Sequence, residues 1–147
     1  MKNPNPPTFM LLCLLSMIAL HLLLPLWLIS SWIFLILGIG SLVLGIVIGV
    51  AAEGQFRQSG TTVDPLGIST KLVTDGWFNN SRNPMYLSFG LMLIGAWLAL
   101  GSVSPVLAII AYFYFTERWY IVPEEKRLVR IFGKQYESYR MHTPRWL

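Results

Sequence analysis

Four long apolar stretches, at about residues 8–29, 32–52, 85–103 and 105–122, constrain the fold of this 147-residue chain more than any other feature. Each is close to the roughly 20 residues that a helix needs to cross the hydrocarbon of a bilayer. The chain is 54% hydrophobic and only 12% charged, and nearly all of that charge lies outside the four stretches, so the apolar residues form spans and not the faces of amphipathic elements. The expected fold is therefore all-α, an integral membrane bundle of about four transmembrane helices in one domain over residues 1–147.

Pro25 and the Ser30-Ser31 region alone separate the first two spans, and Gly101-Ser102 alone separates the last two, so the spacing predicts two hairpins. Lys2 before an apolar run also suits a signal peptide, but no small-residue cleavage site follows and a second span comes directly, so the first span is read as a retained anchor. Lys and Arg fall at Lys2, at Arg57, Lys71 and Arg82 in the loop over residues 53–84, and from Arg118 to the C-terminus; neither hairpin turn carries one. The positive-inside rule then places both termini and the middle loop in the cytoplasm, with the polar chemistry on that face.

Several function classes drop out early. A single Cys13 cannot make an internal disulfide, and no Cys/His cluster has metal-ligand spacing. The net charge of +4 comes from residues beside the spans without a nucleic-acid motif, which makes lipid headgroups the expected anionic neighbours and leaves nucleic acid out. Gly38, Gly45 and Gly49 recur along the second span and permit close helix approach; internal packing explains them, and a homodimer face is a second use that the sequence does not indicate. Cys13 and His21 read as lone structural residues on apolar helices.

Residues 53–84 are too long for a simple connection, and Phe56, Val63, Leu66, Ile68, Leu72, Val73, Trp77 and Phe78 would anchor them as an ordered cytoplasmic cap. The cap enters the third span at Arg82-Asn83-Pro84-Met85-Tyr86, bringing together a guanidinium, an amide and a phenol. Arg can hold a carboxylate or phosphate through two parallel hydrogen bonds, although Arg and Tyr are also ordinary interfacial anchors. Over residues 123–147, Leu128, Phe132, Tyr136 and Tyr139 recur near one helical turn, as in a surface helix interrupted at Gly133. Pro123, Glu124 and Glu125 suit the start of that helix, and the two acids lie at the depth of Arg82. Glu117 and Arg118, near the end of the fourth span, are either a functional pair or a snorkelling cation with its acid nearby; both readings stay open.

Taken in order, Gly60-Thr61-Thr62, Leu72-Val73-Thr74-Asp75-Gly76-Trp77-Phe78, Arg82-Asn83-Pro84-Met85-Tyr86, Glu124-Glu125, Leu128, Phe132-Gly133-Lys134-Gln135-Tyr136, Tyr139 and Pro144-Arg145 resemble the isoprenylcysteine carboxyl methyltransferase and phospholipid N-methyltransferase family. The resemblance covers roughly the last two-thirds of the chain. It implies an integral membrane enzyme that binds S-adenosylmethionine at the cytoplasmic face and methylates a substrate from the lipid side. Carried over residue by residue, Arg82, Asn83, Pro84, Tyr86, Glu124 and Glu125 become cofactor-binding residues, while Tyr139 and Arg145 cover the pocket or meet the substrate. Asn83 stands where many members have histidine, which argues against any mechanism that needs a base there. No residue is assigned a catalytic role, and no metal is expected.

Two other readings belong beside this one: an NADPH-dependent membrane reductase of the sterol reductase type, and a non-enzymatic membrane assembly protein. The acceptor stays open among a prenylated thioether carboxylate, a phospholipid amine and an apolar thiol, each of which would arrive through the bilayer.

Overall fold

A computed structural model describes residues 3–28, 31–60 and 71–147. Among these residues every regular element is helical: α1 (Pro6–Leu23), α2 (Trp32–Gln58), α3 (Trp77–Asn80), α4 (Pro84–Leu100), α5 (Val106–Thr116), a π-helical segment (Glu117–Ile121), α6 (Val122–Phe132) and α7 (Lys134–His142). The all-helical expectation holds, and α1 and α2 are long and apolar enough to cross a membrane by themselves. Thr61, Thr62 and the proposed cap anchors Val63, Leu66 and Ile68 lie outside the described residues.

Helix boundaries follow local chemistry. Asn5 Oδ1 accepts from Thr8 N at 3.0 Å, and Pro6 and Pro7 fill the first turn of α1, where no backbone donor is missed. Pro25 excludes helical geometry at Leu24, so α1 stops at Leu23 instead of running to residue 29. Ser31 caps α2, which continues past Ala52 because Glu53 and Arg57 form an i,i+4 ion pair at 2.7 Å on an otherwise helix-favouring stretch. The first six residues assigned to the cap therefore extend a span.

The predicted hairpin of the first two spans does not form as a packed pair. Instead α4 lies at the centre, with α2 along one side and α1 and α5 along the other. The glycines decide this arrangement: a Cβ on Gly38 would lie 2.8 Å from the Gly95 carbonyl oxygen, and one on Gly45 would lie 2.7 Å from that of Ser88. The small residues of α2 thus serve close packing on α4 within the chain. On the other side Phe9 of α1 meets Tyr112, Phe115, Trp119 and Tyr120, forming the aromatic part of a core that also holds Cys13 and Met17.

The turn after α4 closes the end remote from Arg82. Gly101 adopts the left-handed conformation at the α4 C-terminus, and Trp97 Nε1 donates to the Ser102 carbonyl at 2.8 Å. His21, read above as partnerless, has its Nδ1 2.8 Å from Ser102 Oγ, a contact between residues 81 apart that no local pattern could reveal.

From Val106 to Phe132 the chain is one continuous helical rod interrupted only by the π segment, in which Val122 N donates to Glu117 O. Pro123 supplies the cause. It lacks a donor and crowds the carbonyl of the preceding turn, and one wider turn relieves both problems without breaking the helix. Pro123 therefore sits in the first turn of α6, as expected, but within a rod and not after a break.

Candidate functional site

The end of the bundle opposite the Gly101-Ser102 turn holds a cavity of about 330 Å³. Its walls come from five places: Asn5, Pro6 and Pro7 at the start of α1, Phe56 on the extension of α2, Phe78 on α3, the first turns of α4 with the residues just before it, and Glu124 on α6. Of the residues singled out in the sequence, Arg82, Asn83, Pro84, Tyr86 and Glu124 all line it. A much smaller recess of about 40 Å³ shares Phe78, Arg82, Asn83 and Glu124 with it and adds Glu125, Tyr136 and Tyr139.

Local structure explains the convergence. Gly76 has φ of 58°, and a Cβ there would collide with the Gln55 side chain, whose Oε1 accepts from Trp77 N at 3.2 Å. The extension of α2 therefore seats α3 directly, and Phe56 meets Phe78 edge to face with centroids 4.9 Å apart. Asn83 and Pro84 then start α4, placing Arg82 just before it and Tyr86 in its first turn, facing the cavity.

Glu124 and Glu125 are neighbours about 100° apart around α6, and this gives them different surroundings. Glu124 faces the cavity, and its Oε2 accepts from the Tyr86 hydroxyl at 3.3 Å. Burial raises its pKa from 4.5 to about 6, with the hydrogen bond from Tyr86 and the charge of Arg127 pulling the other way. Glu125 faces the C-terminal segment and is held by two guanidinium groups: Arg145 donates from Nη2 at 2.7 Å and from Nε at 3.1 Å, while Arg82 Nη1 lies 3.1 Å from Oε1.

Arg82 is the most enclosed cation of the site, its side chain 9% exposed. Nη1 reaches Glu125 and makes a long 3.5 Å contact with the Tyr136 hydroxyl, whereas Nε has no hydrogen-bond partner among the described residues. A buried N–H without an acceptor is costly and uncommon in folded proteins. Arg82 lines both cavities, and its unused donor capacity suits a carboxylate or phosphate oxygen of a ligand.

The remaining candidates lie close by. Tyr139 lines the small recess and donates its hydroxyl to the Phe78 carbonyl, and burial raises its pKa and that of Tyr136. Asn83 Nδ2 donates to the Arg145 carbonyl at 3.0 Å, so its amide ties the C-terminal segment to the entry of α4. Arg145 is engaged in ion pairs, with its pKa raised chiefly by the hydrogen bonds to Glu125. Its third partner is Glu117, at 2.7 Å from Nη1, while Arg118 lies over the Tyr114 ring at 5.8 Å. Glu117 and Arg118 thus look to different partners and not to each other.

The π segment makes the shared grip of Arg145 feasible. Eight residues separate Glu117 from Glu125, which in a regular helix leaves them about 80° apart. A bulge that absorbs one residue reduces this to the seven-residue case, about 20° from a common face. One guanidinium then spans both carboxylates.

Sequence reasoning missed Asn5, Pro6, Pro7 and Phe89 as cavity residues. Asn5, Pro6 and Pro7 precede the expected start of the first span at about residue 8, and Phe89 is one more apolar residue of a span; only the packing of α1 against α4 could reveal them.

A model of the phospholipid methyltransferase family matches residues 33–135. Over 75 residues the chain is 39% identical to a protein-S-isoprenylcysteine O-methyltransferase of Schizosaccharomyces pombe, covering 50% of this chain and 31% of that protein. Over 76 residues it is 34% identical to protein-S-isoprenylcysteine O-methyltransferase B of Arabidopsis thaliana, covering 50% of this chain and 38% of that protein. The aligned part thus spans about a third of the length of these curated relatives. No solved structure matches the chain. With the family model covering well over half of its residues, the chain belongs to the phospholipid methyltransferase family.

Proposed function

We propose that this protein is an S-adenosylmethionine-dependent methyltransferase that acts within the membrane on a lipophilic acceptor. The carrying observation is that Arg82, whose buried Nε has no hydrogen-bond partner among the described residues, lines both cavities together with Glu124. These groups suit the two polar ends of such a cofactor: Arg82 binds its carboxylate, and Glu124 accepts from its ribose hydroxyls or amino group. The apolar lining from Phe56, Phe78, Met85 and Phe89 suits the chain of a lipid acceptor.

When bound, S-adenosylmethionine supplies a methyl group already activated by its sulfonium. The residues present then have three tasks. Arg82 and Glu124 fix the position of the donor, Tyr86 orients Glu124 through its hydroxyl, and the aromatic walls exclude water that would compete as acceptor. Asn83, engaged with the Arg145 carbonyl, holds the site together and moves no proton. The acceptors named for the curated relatives make an isoprenylcysteine-type carboxylate the first to test. The family membership favours methyl transfer over nicotinamide-dependent reduction.

In the same reading the protein is one multi-pass domain. The spans are α1, α2, α4 and the rod from α5 through the π segment, the C-terminal helices lie at the interface, and both ends of the sequence face the cytoplasm with the cavity. Calorimetric titration of the protein in nanodiscs with S-adenosylmethionine, with NADPH in a parallel titration, tests the cofactor assignment. Saturable binding of the first supports it; binding of NADPH alone, or of neither by folded protein, refutes it.

A further inference from the structure

We infer that Arg145 is a positioning residue that acts through Glu125 and the C-terminal backbone to hold Arg82 at the cavity. Arg145 lies outside the residues that line the cavity, yet its backbone carbonyl is held by Asn83, which lines it, and its guanidinium by Glu125, the ion-pair partner of Arg82. Its guanidinium takes both oxygens of Glu125 and one of Glu117, which leaves a single orientation available to a planar, forked donor. Its backbone carbonyl accepts from Asn83 Nδ2 at 3.0 Å and Ser81 Oγ at 3.2 Å, and the carbonyl of Pro144 accepts from Arg82 N at 3.0 Å. Three consecutive residues, Ser81, Arg82 and Asn83, are therefore tied to the two residues Pro144 and Arg145.

Charge alternates along the line Glu117, Arg145, Glu125, Arg82, and each member touches the next. Such a line is self-compensating, so Arg82 can be buried beside a ligand site without net charge accumulating behind it. Arg145 is the link with most partners, counting its backbone carbonyl, and it is more open to water than the cation it supports, its side chain 31% exposed against 9% for Arg82. Loss of Arg145 leaves Glu125 with Arg82 alone and frees the C-terminal segment from Glu117 and Glu125. Arg82 then loses the backbone cover that keeps it from water.

The inference rests on the cofactor reading for its effect on affinity but not for its effect on Arg82 itself, and the experiment reads both. The full chain in nanodiscs is treated with phenylglyoxal, which modifies accessible guanidinium groups, and modification of Arg82 is followed by peptide mass spectrometry in the wild type, Arg145→Ala and Glu117→Gln. S-adenosylmethionine affinity is measured on the same preparations, in Arg145→Lys, and in the double variant Arg82→Ala with Arg145→Ala. Modification of Arg82 is expected to rise several-fold in Arg145→Ala and less in Glu117→Gln. Affinity is expected to fall about tenfold in Arg145→Ala, within the range for coupled neighbours, with partial recovery in Arg145→Lys and no further loss on top of Arg82→Ala. Unchanged modification of Arg82 in folded Arg145→Ala protein, or losses of affinity that add in full, overturn the inference. Should Arg145→Ala not fold, unchanged modification in Glu117→Gln overturns it equally. Raised modification together with a wild type that binds no S-adenosylmethionine upholds the positioning role and refutes the cofactor reading instead.

Discussion

The two ends of the bundle satisfy their polar groups in different ways. At the Gly101-Ser102 end His21, Trp97, Ser102 and Ser104 meet one another or backbone carbonyls, without a carboxylate, lysine or arginine among them. At the other end Glu117, Arg145, Glu125 and Arg82 form a charged line beside a cavity, and the Arg82 Nε still finds no acceptor among the described residues. A closed end needs only that buried polar groups find partners. An end with unused donor capacity, an enclosed cation and a concave apolar wall has the makings of a binding site.

Substitutions can press on that contrast from both sides. The largest effect belongs to Arg82→Ala, which is expected to weaken S-adenosylmethionine binding on the order of 100-fold in calorimetry, from the loss of a charge-assisted and partly two-toothed contact. Retained affinity would erase the distinction between the ends. Next comes Gly95→Val at the closed side: its Cβ would lie 2.6 Å from the Gly38 carbonyl oxygen, so overpacking should cost about 1–3 kcal/mol, read as a lowered thermal midpoint in nanodiscs with affinity unchanged in the folded fraction.

A subtler effect separates the two acids. The Glu124 carboxylate binds hydroxyl or ammonium donors best when ionised, and its pKa is raised to about 6 by burial. Affinity should therefore rise as pH increases through about 6 and level off above it, with up to about tenfold weaker binding at about pH 5 than at about pH 7. Glu124→Gln should flatten that profile, and a profile that persists in the variant would move the titration elsewhere. The smallest change is Ser102→Ala, which removes the His21 partner and should lower stability by about 1 kcal/mol or less, with cofactor affinity untouched.

Much of this was legible in the sequence because it depends on local rules. Pro25 marks the break between the first two spans and Gly101 the turn after α4, since each acts through its own backbone preferences, although the same preference of Pro25 ends α1 at Leu23 and not at residue 29. The polar residues of the site were also legible, through motifs that happen to be short. What could not be read is which helix packs on which. The spacing of the first two spans suggested a hairpin, yet complementarity between Gly38 and Gly95 sends α2 to α4 and leaves α1 to the aromatic face of α5. The partner of His21, the cavity role of Pro6 and Phe89, and the division of labour between Glu124 and Glu125 all follow from that packing and have no local signature.

The wide turn ahead of Pro123 also separates two jobs that one rod would otherwise do in lockstep. Before it, Ala108, Ile109 and Tyr112 keep time with α1 and α4; after it, Glu124 and Glu125 keep time with the cavity and the C-terminal segment. Because the phase is reset between them, the apolar half can be repacked against α1 and α4 while the acids below stay in register, so the rod is built as two independently adjustable halves of a single helix.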